Sequence, residues 1–222
     1  MTSQLRLLCS CAAFLFGCAA VTPEQNTVAE HEAIAASEEK QAAALSRQCA
    51  QAAPPSGEVC WSATAHPTAS DLRNAEKYRR LAAEHRAAAA TLREAEEQAC
   101  AGVPERDRDM SPFAHREDIV SAERLSVPIL SSKNTATRLV GATIVFRAVP
   151  GLTAEWLQRV LNCHLARNAA MGWDMPEMSY CPVAVKGANA SVSSTGNGFS
   201  VTVRSDDVEA ASEIARRAAA LH

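Results

Sequence analysis

Apolar and small residues recur at alternating spacings of three and four through Ala75, Tyr78, Ala82, His85, Ala89, Leu92 and Ala99, the a/d seam of a coiled coil. The pattern predicts a helix from Ser70, whose hydroxyl caps the free amides with Asp71 in the first turn, to Ala99, before the stop signal Gly102-Val103-Pro104. Upstream, Thr27 to Gln48 holds neither Pro nor Gly and is rich in Ala, Glu, Gln and Lys, so it predicts a first helix. The breaker cluster Ala52-Ala53-Pro54-Pro55-Ser56-Gly57 ends that helix, and Cys60-Trp61 to Pro67 reads as a connector with Trp61 over the end of the pair. Small seam residues let two helices approach closely. An antiparallel hairpin is expected, about 45 Å long at 1.5 Å per residue. Ala buries little area, so a loop bridge or docking elsewhere must help hold it.

The last ninety or so residues change period. Ala136 to Val149 is β-rich and ends at Pro150-Gly151. Thr153 caps a helix whose stripe is Trp156, Leu157, Val160, Leu161, His164, Leu165 and Ala169, closed by Gly172. Ala190, Val192, Phe199, Val201 and Val203 alternate about Gly196-Asn197-Gly198, a hairpin signal. Asp206 and Glu209 resemble a capping box for a final helix with the stripe Val208, Ala211, Ile214, Ala215, Ala218 and Leu221. Between the two patterned parts, Ala101 to Ser132 reads as an ordered loop, with Glu117-Asp118-Ile119-Val120 opening a short strand at most. The fold class is therefore α+β: an Ala-rich antiparallel helical hairpin (27–101), an ordered loop segment (102–135) and a small α/β sandwich in the order strand-helix-strand-strand-helix (136–222). One antiparallel or mixed sheet with helices on one face is the simplest packing.

The N-terminus changes the picture. One cation, Arg6, precedes the mostly apolar run Leu7 to Phe16, too short to span a bilayer but suited to a secretory signal over residues 1–17. Leu15-Phe16-Gly17-Cys18 resembles the lipobox of bacterial lipoproteins. The resemblance implies cleavage before Cys18 and its modification with palmitate-type acyl chains, followed by a tether over 18–26. Ala19 directly after that cysteine, in place of Asp, implies by the family's sorting rule the periplasmic face of the outer membrane. The stretch from Ala99-Cys100-Ala101-Gly102-Val103-Pro104 through Ser111-Pro112-Phe113-Ala114-His115-Arg116-Glu117-Asp118 resembles uncharacterised predicted envelope lipoproteins, a likeness that implies no activity. Losing residues 1–17 removes one cation and no acid, leaving about 205 residues and a charge one unit more negative than the full chain's −3. Lys and Arg are interleaved with Glu and Asp, a solvated pattern that excludes nucleic acid as a partner. The expected contacts are the membrane, through lipid, and a protein partner or second copy, through the hairpin.

Eight cysteines are present. With Cys9 and Cys11 in the signal and Cys18 lipidated, Cys49, Cys60, Cys100, Cys163 and Cys181 remain for an oxidising compartment. The preferred bridges are Cys49 with Cys60 and Cys163 with Cys181, leaving Cys100 buried or free to pair elsewhere. Cys163, His164, Met175, Met178 and Cys181, with Met171 nearby, form a thiolate–imidazole–thioether set suited to copper or zinc. Against a metal site, His164 falls on an apolar stripe, and adjacent helical residues point about 100° apart. A second cluster, Asp107, Asp109, His115, Glu117 and Asp118, could hold a divalent ion or supply an acid and base, but Arg106, Arg108 and Arg116 make it read as a salt-bridged loop. No nucleophile elbow, phosphate loop or His-Glu-x-x-His run occurs, so no catalytic residue and no cofactor is assigned. The sequence thus favours a lipid-anchored periplasmic binding or scaffolding protein, with soft-metal binding as the alternative.

Overall fold

The computed structural model describes residues 26–52, 69–130, 135–173 and 175–221. The signal, the lipobox, the tether up to Gln25, Cys60, Trp61 and the side chain of Cys49 lie outside the described residues, and with them the expected Cys49–Cys60 bridge. Helices α1 (Val28–Ala52) and α2 (Ala69–Ala99) pack along each other as an antiparallel pair. Thr27 and Glu30 start α1 as a reciprocal capping box: the Glu30 amide donates to Thr27 Oγ1 at 2.8 Å and the Thr27 amide to Glu30 Oε2 at 2.7 Å. Ala35, Ala42, Ala75, Ala82 and Ala89 are buried between the helices. One flank carries a ladder at heptad spacing, in which Arg79, Arg86 and Arg93 reach Ser46, Glu39 and Glu32. The small-residue seam is thus buried inside the hairpin, as the sequence pattern predicts. No described helix is long and apolar enough to cross a membrane.

After the short helix α3 (Glu105–Arg108), a four-stranded antiparallel sheet forms in the order β1-β2-β4-β3 from β1 (Ile119–Leu130), β2 (Thr135–Arg147), β3 (Asn189–Thr195) and β4 (Gly198–Arg204). Strand β1 corrects the expected loop. Its twelve residues pair with β2 from Ile119↔Phe146 to Leu130↔Thr135. As an edge strand it carries Glu123, Arg124 and Pro128, which hid it from a hydrophobic pattern. Two ββα units result, closed by α4 (Ala154–Met171) and α5 (Val208–Ala219), and the sheet order reads the same when the units are exchanged. Each helix covers the other unit: α4 packs on β3, and α5 on β2 and β1. The paired rows Phe146↔Phe199, Ile144↔Val201 and Ala142↔Val203 face this helical layer and share one core with Leu157, Leu161, Ile214 and Ala218.

The caps follow the sequence closely. Thr153 Oγ1 accepts from the Trp156 amide at 3.1 Å, and Gly172 ends α4 at φ 83°. The final helix is capped one residue later than expected, by Asp207, whose carboxylate accepts from the Ala210 amide at 2.8 Å. Val208, placed on the buried stripe by sequence, is 60% exposed. Gly141 and Gly198 lie at φ 148° and 154° where a Cβ would fall 2.0 Å from the carbonyl oxygens of Val203 and Phe146.

The hairpin joins this body at its open end. Cys100, just past α2, is bridged to Cys163 in α4. Arg167 ties Glu96 at 3.3 Å and Asp109 at 2.6 Å. At the start of α1, Thr27 touches Gly172 at the end of α4. Both ends of the hairpin therefore meet the sheet domain.

Candidate functional site

A cleft of about 280 Å³ opens between the segment after α3, the end of β2 and the first turns of α4. Phe146, Leu152, Trp156 and Val160 form its apolar wall, and Asp107, His115 and Asp118 supply polar groups. Two successive 3-10 turns build the polar side. Ser111 caps the first, its hydroxyl accepting from the Phe113 amide at 3.3 Å, with Pro112 in the opening position. Phe113 is fully buried against Phe146, ring centroids 5.8 Å apart, which anchors the segment on the core. The second turn, Arg116–Asp118, closes when the Asp118 amide donates to the His115 carbonyl at 3.1 Å.

Within that turn the ligand atoms of His115, Glu117 and Asp118 lie within 4.8 Å of one another, and among the described residues no other group of three His, Cys, Asp or Glu does so. Three of the five residues in the second sequence cluster are thus brought together. Asp107 lines the same cleft, while Asp109 pairs with Arg167. The loop is salt-bridged: Arg147 donates to Asp118 Oδ1 through Nε at 2.8 Å and Nη2 at 2.6 Å, and Arg106 lies 3.5 Å from Asp107. A cation here would have to displace Arg147 from its carboxylate. The cleft lining offers no hydroxyl or thiol nucleophile among the described residues. Its chemistry is that of an apolar slot with hydrogen-bonding groups on one side, just under the usual volume range of small-ligand pockets.

The Cys/His/Met set is not gathered around one point. Cys163 is bridged to Cys100, which corrects the expected Cys163–Cys181 pair and removes its sulfur from any ligand set. Sequence placed the bridge across the nearest helix-to-strand connection, whereas the packing of α2 on α4 brings a cysteine 63 residues away to a Cα separation of 4.5 Å. Cys181 is a free, buried thiol 3.1 Å from Ser111 Oγ, and burial pushes its pKa up. His164 is buried with Nε2 2.8 Å from the Met110 carbonyl, which can only accept, so Nε2 carries the proton. Burial holds this imidazole below its ordinary pKa against the pull of that carbonyl. His164, Met171, Met175 and Met178 do share a second hollow of about 240 Å³, but neither Cys163 nor Cys181 lines it, and of its charged residues Arg108 and Arg167 are matched by Asp109 and Glu177.

The segment that carries Cys181 is held by Arg217, whose Nη1 donates to the carbonyls of Cys181 at 3.1 Å and Ala184 at 2.9 Å. Arg216 and Arg217 in turn grip Glu213, holding its carboxyl down at about 2. Sequence reasoning missed Trp156 and Phe146 as cleft walls, because both also satisfy the core pattern. The signal that could have found the site is the doubled turn Ser111-Pro112 and Arg116-Glu117-Asp118 beside a β-strand. The chain matches no known protein family, no curated protein and no solved structure.

Proposed function

We propose that this chain is a lipid-anchored envelope protein of the binding or scaffolding type, carried by acyl chains on Cys18 at the periplasmic face of the outer membrane. The lipobox-like Leu15-Phe16-Gly17-Cys18 supplies the anchor, and two or more acyl chains suffice for stable attachment. The buried Cys100–Cys163 bridge supports export, since such bonds persist in oxidising compartments. The scaffolding role rests on one observation: both ends of the hairpin return to the sheet domain, with Thr27 against Gly172 and Cys100 bridged to Cys163. The tether therefore attaches beside the sheet domain. The hairpin, about 45 Å long by its rise, leads away from that attachment as an arm. Binding of a small apolar ligand in the cleft beside Trp156 is a second reading, supported by its wall and volume.

Membrane fractionation of wild type and Cys18→Ser, each carried by its own leader, tests the anchor. Wild type should sediment with membranes and show acyl mass on its N-terminal peptide, and C18S should be released. An unmodified wild-type peptide, or equal partitioning of the two forms, overturns the reading.

A further inference from the structure

Inside the hairpin two polar side chains occupy seam positions that packing alone would fill with small apolar residues. His31 on α1 and His85 on α2 face each other with Nδ1 atoms 2.8 Å apart, ring centroids 5.0 Å apart and planes at 46°. Facing nitrogens at this distance accommodate one proton between them, because two N–H groups would point at each other. One Nδ1–H donating to the other Nδ1 satisfies the neutral pair; when both rings instead carry their proton on Nε2, two lone pairs face each other and can take up a cation. We propose that His31 and His85 form a cross-helix binding site for a divalent transition-metal ion of the zinc class, with water completing the shell.

The geometry favours a tetrahedral ion. With zinc–nitrogen bonds of about 2.0–2.1 Å and a tetrahedral angle, the two nitrogens would sit roughly 3.3 Å apart. The nitrogens must then move apart by about 0.5 Å from their present 2.8 Å, and because centroids 5.0 Å apart set them nearly head-on, each ring must also turn by roughly 35° to aim its lone pair at the ion. A linear two-coordinate ion would need roughly 4 Å and would prise the helices apart. Imidazole is a ligand that zinc, copper and nickel share, so selection among them falls to geometry and availability. The neighbouring carboxylates are engaged elsewhere, Glu30 on the Thr27 amide and Glu32 on Arg93. Among the described residues no third His, Cys, Asp or Glu converges on the pair. The site is open and exchangeable, and its occupation would clamp α1 to α2.

The test is calorimetric titration of Zn²⁺ into the full chain carrying Cys18→Ser, oxidised and stripped with chelator. One equivalent should bind and raise the melting temperature with increasing free zinc. His31→Gln and His85→Gln should each weaken binding by more than about tenfold, since even outer-shell partners are worth 10–100-fold. His115→Ala, which removes the ring from the other converging group, should leave that equivalent in place. Absence of binding, binding unchanged in H31Q and H85Q, or binding lost only in H115A overturns the proposal. Should a glutamine variant fail to fold by circular dichroism, imidazole nitrogen shifts in wild type decide instead. Zinc must then move the Nδ1 resonances of both His31 and His85, and no movement refutes the site.

Discussion

Breaking the Cys100–Cys163 bridge should lower stability by about 4 kcal/mol, the chain-entropy value for a closed loop of this size. The two cysteines are 63 residues apart, and the loop between them contains β1, β2 and part of α4. For a chain of this length that loss corresponds to a fall of roughly 8–16 °C in melting temperature. A Cys163–Cys181 bridge would give about 3 kcal/mol by the same expression, too near for magnitude alone to identify the pairing. The variants separate them. Because Cys100 and Cys163 are 1% and 0% exposed, reductant must act through the unfolded state, so the assay is equilibrium urea unfolding with and without it. In a Cys49→Ala, Cys60→Ala background, which takes away the other expected bridge, the parent and Cys181→Ala should both lose stability on reduction, and Cys100→Ala should be insensitive. Reductant sensitivity that survives in C100A, or disappears in C181A, would refute the assigned bridge.

Two further perturbations test the packing. Because the folded state holds His164 below the ordinary imidazole pKa, the unfolded chain takes up its proton first as pH falls. This contribution is fully present above about pH 6.5 and declines on acidification, by at most about 1.4 kcal/mol per pH unit. His164→Gln, which can still donate to the Met110 carbonyl, should flatten the fall in urea midpoint between pH 7.5 and 5.5, and parallel curves would contradict the assignment. In the hairpin, Ala82 is 0% exposed, so Ala82→Leu should overpack the seam and cost about 1–3 kcal/mol in thermal unfolding. The exposed neighbour change Ala83→Leu should stay within about 0.5 kcal/mol, and equal effects would mean that the seam is not close-packed.

The long α-helices, the β2–α4 boundary and the β3–β4 hairpin were legible because each shows its own period and its own punctuation. Thr153, Gly172 and Gly196-Asn197 fix those ends through local chemistry, which a single sequence carries in full. Strand β1 was not legible, since an edge strand with one face towards solvent tolerates Glu123, Arg124 and Pro128 and loses the apolar alternation. Missing it hid the duplication of the ββα unit. The Cys100–Cys163 pairing was hidden for a different reason. It depends on where α2 docks on α4, a long-range contact with no local signature. Likewise, His115, Glu117 and Asp118 stand close in sequence and were found, whereas the cleft wall they face comes from residues some thirty to forty positions on.

The placement of the hairpin follows from an imbalance in what holds it. Along the arm, buried Ala residues contribute little hydrophobic area, and the Arg79, Arg86 and Arg93 contacts are half-exposed pairs of the kind worth well under about 1 kcal/mol each. At the base, a covalent bridge, the Arg167 clasp on Glu96 and Asp109, and the Thr27–Glu30 capping box act together. Among the described contacts, restraint is therefore concentrated where α1 and α2 meet the sheet domain. His31, one turn above Thr27, sits at the upper edge of that restrained base, so an ion shared with His85 would extend the clamp outward along the arm.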